Sequence, residues 1–520
     1  MGGLQTIDAA ILAGYLALLL AVGFWSGRKK SEAKAEDFFL TSKTLPWYTI
    51  GFSLIAAGIS SVQFIGNVGY AYQHGLAVAN WEWLNAPAIL LLVFIFIPVY
   101  SRWKIVTMPQ FLELRYNSRV RTVFAIITLL TYIFINMAGV IYSGGFVLNK
   151  ILGLDLYAGI WTMAVVSGFF VVYGGMESIA WTNVLQAVLL LGSGLLVFVV
   201  GFAAVPGGWA EIIGTGDRSH LILPASHKEI PSTGLLVLAL STNIWFFCTN
   251  QTINQSALGA KNLWHARMGV LLAGFLSIVI AFADVFPGMI AYALNPNLPV
   301  ADEAYPYIVG RVIPAGLRGL VFAGLLGATL ANVEALGNAS ATIFTFDIYR
   351  NVINPGASER QLIRIGRVAA VVVLVVGAVW APIVMRFGHI FSYFQECWAF
   401  IAIPVAVLFT LGVLWKGVTA RSALWTLCLS FPMLVLPYGL RTYEVTWNVY
   451  NVAGIVLIFT LLFTVLTSLA TRGDNAGKTI GATWSPATDA EAKALPWYRS
   501  VSFWAAVMAG LYVALYAIFW

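Results

Sequence analysis

Apolar runs of about 20 residues, each long enough to cross about 30 Å of hydrocarbon as a helix, recur from one end of the chain to the other. About fourteen can be delimited. They begin near Ile7, Leu45, Ala77, Val120, Tyr157, Ser178, Thr233, Ala266, Gly316, Val368, Ile390, Ala423, Asn448 and Ser502. The pattern predicts an all-α polytopic membrane protein, with 1–520 as a single integral membrane domain. The first run is followed, not preceded, by Arg28, Lys29 and Lys30 and has no small-residue cleavage site, the arrangement of a retained span. The polar stretches 206–231, 295–314 and 472–493 read as loops. Residues 108–116 mix apolar and polar positions at helical spacing and read either as a helix along the membrane interface or as a plain loop.

Composition agrees with the pattern: 60% of the 520 residues are hydrophobic and only 10% charged, which excludes a soluble domain on a single anchor. The net charge of +7 changes meaning once it is placed on the chain. Alternate connections hold 22 and 7 of the Lys and Arg residues, so the basic balance belongs to one membrane face, and no nucleic-acid partner is implied. The same asymmetry, read as cytoplasmic, puts both termini outside an inner or plasma membrane. Cys248, Cys397 and Cys428 lie in apolar runs and read as buried, inert thiols. No phosphate loop, nucleophile elbow or paired metal-ligand motif is present, so the sequence points away from an enzyme and from any cofactor.

Polar side chains inside spans cost about 2.5 to 3.5 kcal/mol on insertion scales when charged, so their positions are informative. Glu82, Asp284, Glu334 and Glu396 are acids within runs. In the second run Ser60, Gln63 and Asn67 share one helical face beside Gly58, Gly66 and Gly69. Such a stripe suits either a backbone break that coordinates a ligand or close packing of small residues. The third run opens Trp81-Glu-Trp-Leu-Asn85, and carboxylate, amide and indole together suit a polyhydroxylated ligand. The alternative is an aromatic belt with one interfacial acid. The seventh run carries Ser241-Thr-Asn243, Thr249-Asn-Gln-Thr252, Asn254 and Gln255. Runs two and seven, five apart, are the most polar-interrupted, the pattern of a transporter built from inverted repeats with its site at the midplane. In the ninth run Glu334, Asn338 and Thr342 follow at four-residue steps, and in the eleventh Ser392, Gln395 and Glu396 cluster over one turn. For Glu334 and Glu396 a structural acid bonded to a neighbouring helix is the alternative, and for Asp284 it is the plainer reading.

The segment Ser53-Leu-Ile-Ala-Ala-Gly-Ile-Ser-Ser-Val-Gln63-Phe-Ile-Gly66 resembles the first core helix of the sodium:solute symporter family, in its sodium/glucose cotransporter branch. The resemblance extends through Tyr173-Gly-Gly175, Ile179-Ala-Trp-Thr182, Ala339-Ser-Ala-Thr-Ile-Phe-Thr-Phe-Asp-Ile-Tyr349, Phe394-Gln-Glu396 and Leu414-Trp-Lys416. It implies about 14 helices with a leucine-transporter-like core of five plus five inverted helices, here 45–204 and 233–416. The sugar-contacting positions it implies are Gln63, Glu82, Asn243 and Gln395. Four others differ in type: Gly58 stands for a usual Asn, Asn85 for a Ser, Ser277 for a Lys, and Phe246 for the Tyr that closes the site from the cytoplasm. Trp81 is a second stacking candidate. The implied sodium site uses carbonyls of Ala56, Ile59 and Ala328 and two Ser hydroxyls that are here Ala331 and Asn332, while an Asp of the sixth span is Asn183.

The expectation is thus a secondary transporter importing a sugar or polyol by alternating access, with sodium as coupling ion and with no partner required beyond substrate and lipid bilayer. Ala331, Asn332 and Asn183 leave open an uncoupled carrier, or a proton-coupled one with Glu334 titrating. A sugar sensor that binds without transport is the third alternative.

Overall fold

The computed structural model describes residues 5–27, 34–40, 43–387, 390–433, 436, 448–472, 483–485 and 496–520. Arg28, Lys29, Lys30, Arg441, Lys478 and Lys493 lie outside the described residues, as do the side chains of Tyr173, Arg386 and Ser392. Eleven helical segments among the described residues are long and apolar enough to cross a membrane. The other three expected crossings fall short of span length for identifiable reasons. Trp47–Gly58 stops after 12 residues because the helix breaks, and Ala420–Cys428 leads towards residues not described. The third, Leu156–Val172, is a short apolar helix that runs on into the long helix Leu156–Ala204.

That long helix folds back on itself. Val171 lies against Gly337 and Thr182 bonds Glu334, so 11 residues of one segment, about 16 Å if straight, face three residues of the other, about 4.5 Å. Before this point Met163 and Thr329 close together on Gly144; after it, Gly324 packs on Leu189 and Ser193. The first arm therefore runs parallel to Leu317–Ile343 and the second antiparallel to it.

Two helices are interrupted at mid-depth. Trp47–Gly58 ends at Ile59 (φ −118°, ψ 131°), and Ser60, also extended, caps the next helix, Ser61–His74. The Ser60 side chain accepts from Val62 N at 3.2 Å, and Gln63 Oε1 accepts from Ser60 N at 2.9 Å, a reciprocal capping arrangement. In the second interruption the π-helical turn Trp245–Thr249 stops at extended Asn250, which caps Gln251–Leu258. Asn254 Nδ2 donates to the carbonyls of Phe247 and Asn250, both at 2.9 Å, satisfying the loose end. Ser53 Oγ meets Ser256 Oγ at 3.0 Å, so the first half of one broken helix lies against the second half of the other, as an inverted pair requires.

The basic connections gather at one end. There Arg121 pairs with Asp347 at 2.7 Å and with Glu113, and the chain at Leu45 exchanges backbone bonds with Gly259 and Lys261. The opposite end holds both described chain ends: Asp8 Oδ1 accepts from Gly316 N and Gly319 N, and Phe519 O accepts from Leu221 N. Three expectations are corrected. Met108–Arg115 is a helix, but Phe111 and Leu112 are fully buried in protein instead of lying along an interface. The stretch 295–314 contains the helix Ala304–Val312, because Tyr305, Ile308 and Val309 recur on one buried face. Of the cysteines only Cys248 is buried; Cys428 is exposed.

Close helix approach sets the packing. A methyl on Gly288 would stand 2.1 Å from the Val68 carbonyl, whereas Gly14 has open space around it. Gly288→Ala is expected to destabilise the protein by about 1 to 3 kcal/mol, read as a lowered Tm in detergent, while Gly14→Ala leaves Tm unchanged.

Candidate functional site

The two interruptions cross beside a cavity of about 820 Å³, counting the solvent at its mouth. Gln63, Trp81, Glu82, Asn85, Asn243, Phe246, Ser277 and Gln395 all line it, eight side chains from five separate stretches of sequence. The wide turns Leu238–Thr242 and Trp245–Thr249 bracket Asn243 and bring Thr242, Asn243 and Phe246 to the same space. Asn243 Nδ2 donates to Leu84 O at 2.9 Å, at the bend between Asn80–Trp83 and Ala86–Leu91, which holds Glu82 and Asn85 on the wall.

Several of these groups have roles that the sequence did not reveal. Gln63 uses Oε1 on Ser60 N and Oγ and donates Nε2 to Gly58 O at 3.1 Å, so most of its bonding capacity is committed to the break. Glu82 is buried, and Asp284 stands within electrostatic reach of it from the end of Leu263–Asp284. Asn67 Nδ2, on the cavity lining, donates to Asp284 Oδ2 at 2.8 Å, the bond to a neighbouring helix of the plainer reading. The aromatic lining is also larger than expected: Trp398, Phe394 and Phe247 join Trp81 and Phe246. Trp398 escaped the sequence reading because an indole in an apolar run carries no signal; its Nε1 donates to Asn136 Oδ1 at 3.0 Å, which fixes the ring beside Phe394.

Phe246 borders a second cavity of about 350 Å³ that continues to Asn250 and Asn332, so its ring divides two spaces. It can do so because residue 58 is glycine: a Cβ there would stand 3.2 Å from Phe246 Cζ, and the asparagine implied by resemblance would displace the ring. Trp81 packs edge-on against Tyr70 and near Tyr450.

The five positions expected around sodium are not all polar. Ala331 packs its methyl against Ala56 and Ala187, and Asn332 Nδ2 donates to Ala57 O at 2.8 Å. Ile59 stands at the interruption itself, and Ala328 is fully buried. Glu334 does not reach the cavity; it lies fully buried against Thr182, whose Oγ1 is 3.2 Å from its Oε2.

Two interrupted helices crossing at a polar, aromatic cavity inside an apolar bundle define a membrane transporter of the broken-helix class. The family model of the sodium:solute symporter family matches residues 38–429, and the chain belongs to that family. It is a transporter and not an enzyme. A sodium/glucose cotransporter of Vibrio parahaemolyticus is 33% identical over 514 residues, covering 93% of this chain and 94% of its own. A sodium/myo-inositol cotransporter 2 of Oryctolagus cuniculus is 32% identical over 464 residues, covering 82% and 69%. Among solved structures, a substrate-bound, outward-open Na+-coupled sialic acid symporter aligns with a TM-score of 0.76 at 22% identity over 90% of this chain and 98% of that one. This likeness shows the fold, a leucine-transporter-like arrangement.

Ser60→Ala and Gln63→Ala are each expected to destabilise by about 1 kcal/mol through loss of the cap. Both remove the Ser60 Oγ–Gln63 Oε1 bond, but the Val62 N bond is lost only in the first and the Ser60 N and Gly58 O bonds only in the second, so the double variant should lose more than the worse single one and less than the sum. Thermal unfolding of all three variants in detergent checks this, and additive losses would show two independent roles.

Proposed function

We propose that this protein imports a sugar or cyclic polyol together with sodium across the cytoplasmic membrane, by alternating access around the cavity at the two interruptions. The observation that carries the reading is the convergence of Gln63, Glu82, Asn85, Asn243, Ser277 and Gln395 with Trp81 and Phe246 on one space. Carboxylate, amide and hydroxyl groups match the donors and acceptors of a polyol, and the rings match its C–H faces. The names of the curated relatives support both substrate class and ion. In this reading 45–204 and 233–416 are the two repeats, the basic end is cytoplasmic, and both termini are outside. Phe246 is the ring that closes the cytoplasmic exit.

Uncoupled or proton-linked carriage is the second reading, favoured by the alanine at 331 and by the engagement of Asn332 with Ala57 O. Uptake of labelled hexoses, pentoses and inositols into proteoliposomes decides between them. Accumulation above the outside concentration is expected with an inward sodium gradient, and not with a proton gradient or none. Equilibration without any gradient would establish a uniporter. Glu82→Ala is expected to lower uptake of the accumulated sugar at least tenfold in a protein that still elutes as a single species, and unchanged uptake would remove Glu82 from the substrate site.

A further inference from the structure

The two cavities share a wall, and three of the side chains common to both are rings: Phe246, Phe394 and Trp398. The second cavity lies towards the basic end. Gln251, next to its Asn250, accepts from Met108 N at 2.9 Å, and Thr107 beside Met108 bonds Asp347 of that end. Each ring has its own seat. Phe246 fits over Gly58, and a Cβ on Gly139 would overlap Phe394 Cζ, so the second ring rests against Ala138–Leu152. Trp398, the one ring of the three with a polar atom, is held by the bond from its Nε1 to Asn136 Oδ1 at 3.0 Å. Its centroids stand 5.0 Å from Phe394 and 6.2 Å from Phe246, so it completes the division between the spaces.

The residues at 58 and 246 give this bond its weight. The hydroxyl of the tyrosine implied by resemblance would extend from Phe246 Cζ, the atom beside position 58, where resemblance implies an asparagine. Glycine and phenylalanine remove both polar groups together, so Phe246 keeps its place by packing, and the polar anchor of the division stands on Trp398 instead. Asn136 lines the second cavity from the wide turn Thr131–Met137. The same turn carries Tyr132, bonded to Asn250 at the second interruption, and Phe134, whose carbonyl accepts from Tyr393 Oη at 2.6 Å. Ile390–Leu414 is thus tied to this turn at Tyr393 and at Trp398, and of these two side chains it is Trp398 that borders both cavities. We propose that Trp398 is a second moving part of the cytoplasmic closure, beside Phe246, and that Asn136 is its positioning residue. A sugar or polyol passes from the first cavity to the second when the indole leaves Asn136 and swings off Phe394 and Phe246. The Oδ1 that the indole vacates then accepts from a substrate hydroxyl, among the amides of Asn250 and Asn332 and the hydroxyl of Thr252.

This inference rests on the reading of sugar import through the first cavity, and the test separates the two. Entry of labelled D-glucose and myo-inositol into proteoliposomes of the full-length protein is timed with sodium absent from both sides, beside sodium-driven accumulation. Asn136→Leu and Trp398→Phe, which each delete the bond and keep the bulk, are expected to raise sodium-free entry at least fivefold and to lower the accumulation reached. The double variant should leak no faster than the worse single one, because both remove one interaction. Asn136→Asp keeps an acceptor for the indole and should return entry to within twofold of wild type. Tyr393→Phe cuts the other tie between the same helix and the same turn, and should leave sodium-free entry at the wild-type rate. Wild-type entry in both single variants overturns the closure while leaving sugar import intact, and an equal leak in Tyr393→Phe overturns it too, as a general loosening of Ile390–Leu414. A wild type that equilibrates sugar without sodium is a uniporter, and the ratio of variant to wild-type rates still decides the role of Trp398. A wild type that moves neither sugar overturns the import reading and the closure with it.

Discussion

Within hydrocarbon no water is at hand to bond an exposed N–H or C=O, so a helix can be interrupted only where the protein itself supplies the missing partners. The architecture follows from meeting that requirement twice. At 59–60 the partners are Ser60 and Gln63. At Asn250 they come from farther away: the Tyr132 hydroxyl donates to Asn250 Oδ1 and accepts from Gln251 N at 2.9 Å. Tyr132 belongs to the wide-turned stretch Thr131–Met137, so a third helix is held in register by the second interruption. The cavity is where these two solutions cross. Its polarity is largely the outward side of groups whose inward side serves the backbone.

Polar groups committed to capping also set what can move. Asp347 at the basic end, fully buried, takes Arg121 and the Thr107 hydroxyl at 2.7 and 2.8 Å, tying Ser118–Leu130 to the end of the ninth crossing. At the opposite end Arg218 donates to the carbonyls of Tyr72 and Gln73 that finish Ser61–His74 and lies 3.6 Å over the Tyr292 ring. One such set of contacts lies at each end of the bundle. In these places short, directed partners offset part of the cost of burying charge.

Much of this was legible from residue order. Runs of apolar residues located the crossings, including the separate runs at Tyr157 and Ser178 that the fold-back of 156–204 turns into two arms. Polar interruptions in runs two and seven marked the broken helices, because a polar group at mid-depth needs a reason. The capping role of Gln63 was also present, as Ser60-x-x-Gln63, but a face-sharing stripe and a cap use the same spacing, and only the backbone angles at Ile59 and Ser60 tell them apart. What order could not show was pairing across distance. Asn67 and Asp284 are 217 positions apart, and although each stands out in its own run, nothing in residue order pairs them. Trp398 belongs to the same category, since stacking partners are chosen by tertiary packing.

The last crossing shows why substrate choice cannot be assigned to the broken helices alone. Val501–Phe519 lies beyond the repeats, yet its Tyr512 donates to Gly274 O at 2.8 Å and comes up behind Ser277 and Glu82. Tyr516 donates to Asn80 Oδ1, and Phe519 stacks on Trp83, one residue from Glu82. The wall carrying Asn80–Asn85 is therefore pressed between the cavity and a terminal helix. Where resemblance expects a long lysine side chain, the shorter Ser277 lines the cavity, with the Tyr512 hydroxyl beside it. With serine at 277, no Lys or Arg lines the cavity beside Glu82. A helix outside the core thus fixes the position of the wall that carries Glu82 and Asn85.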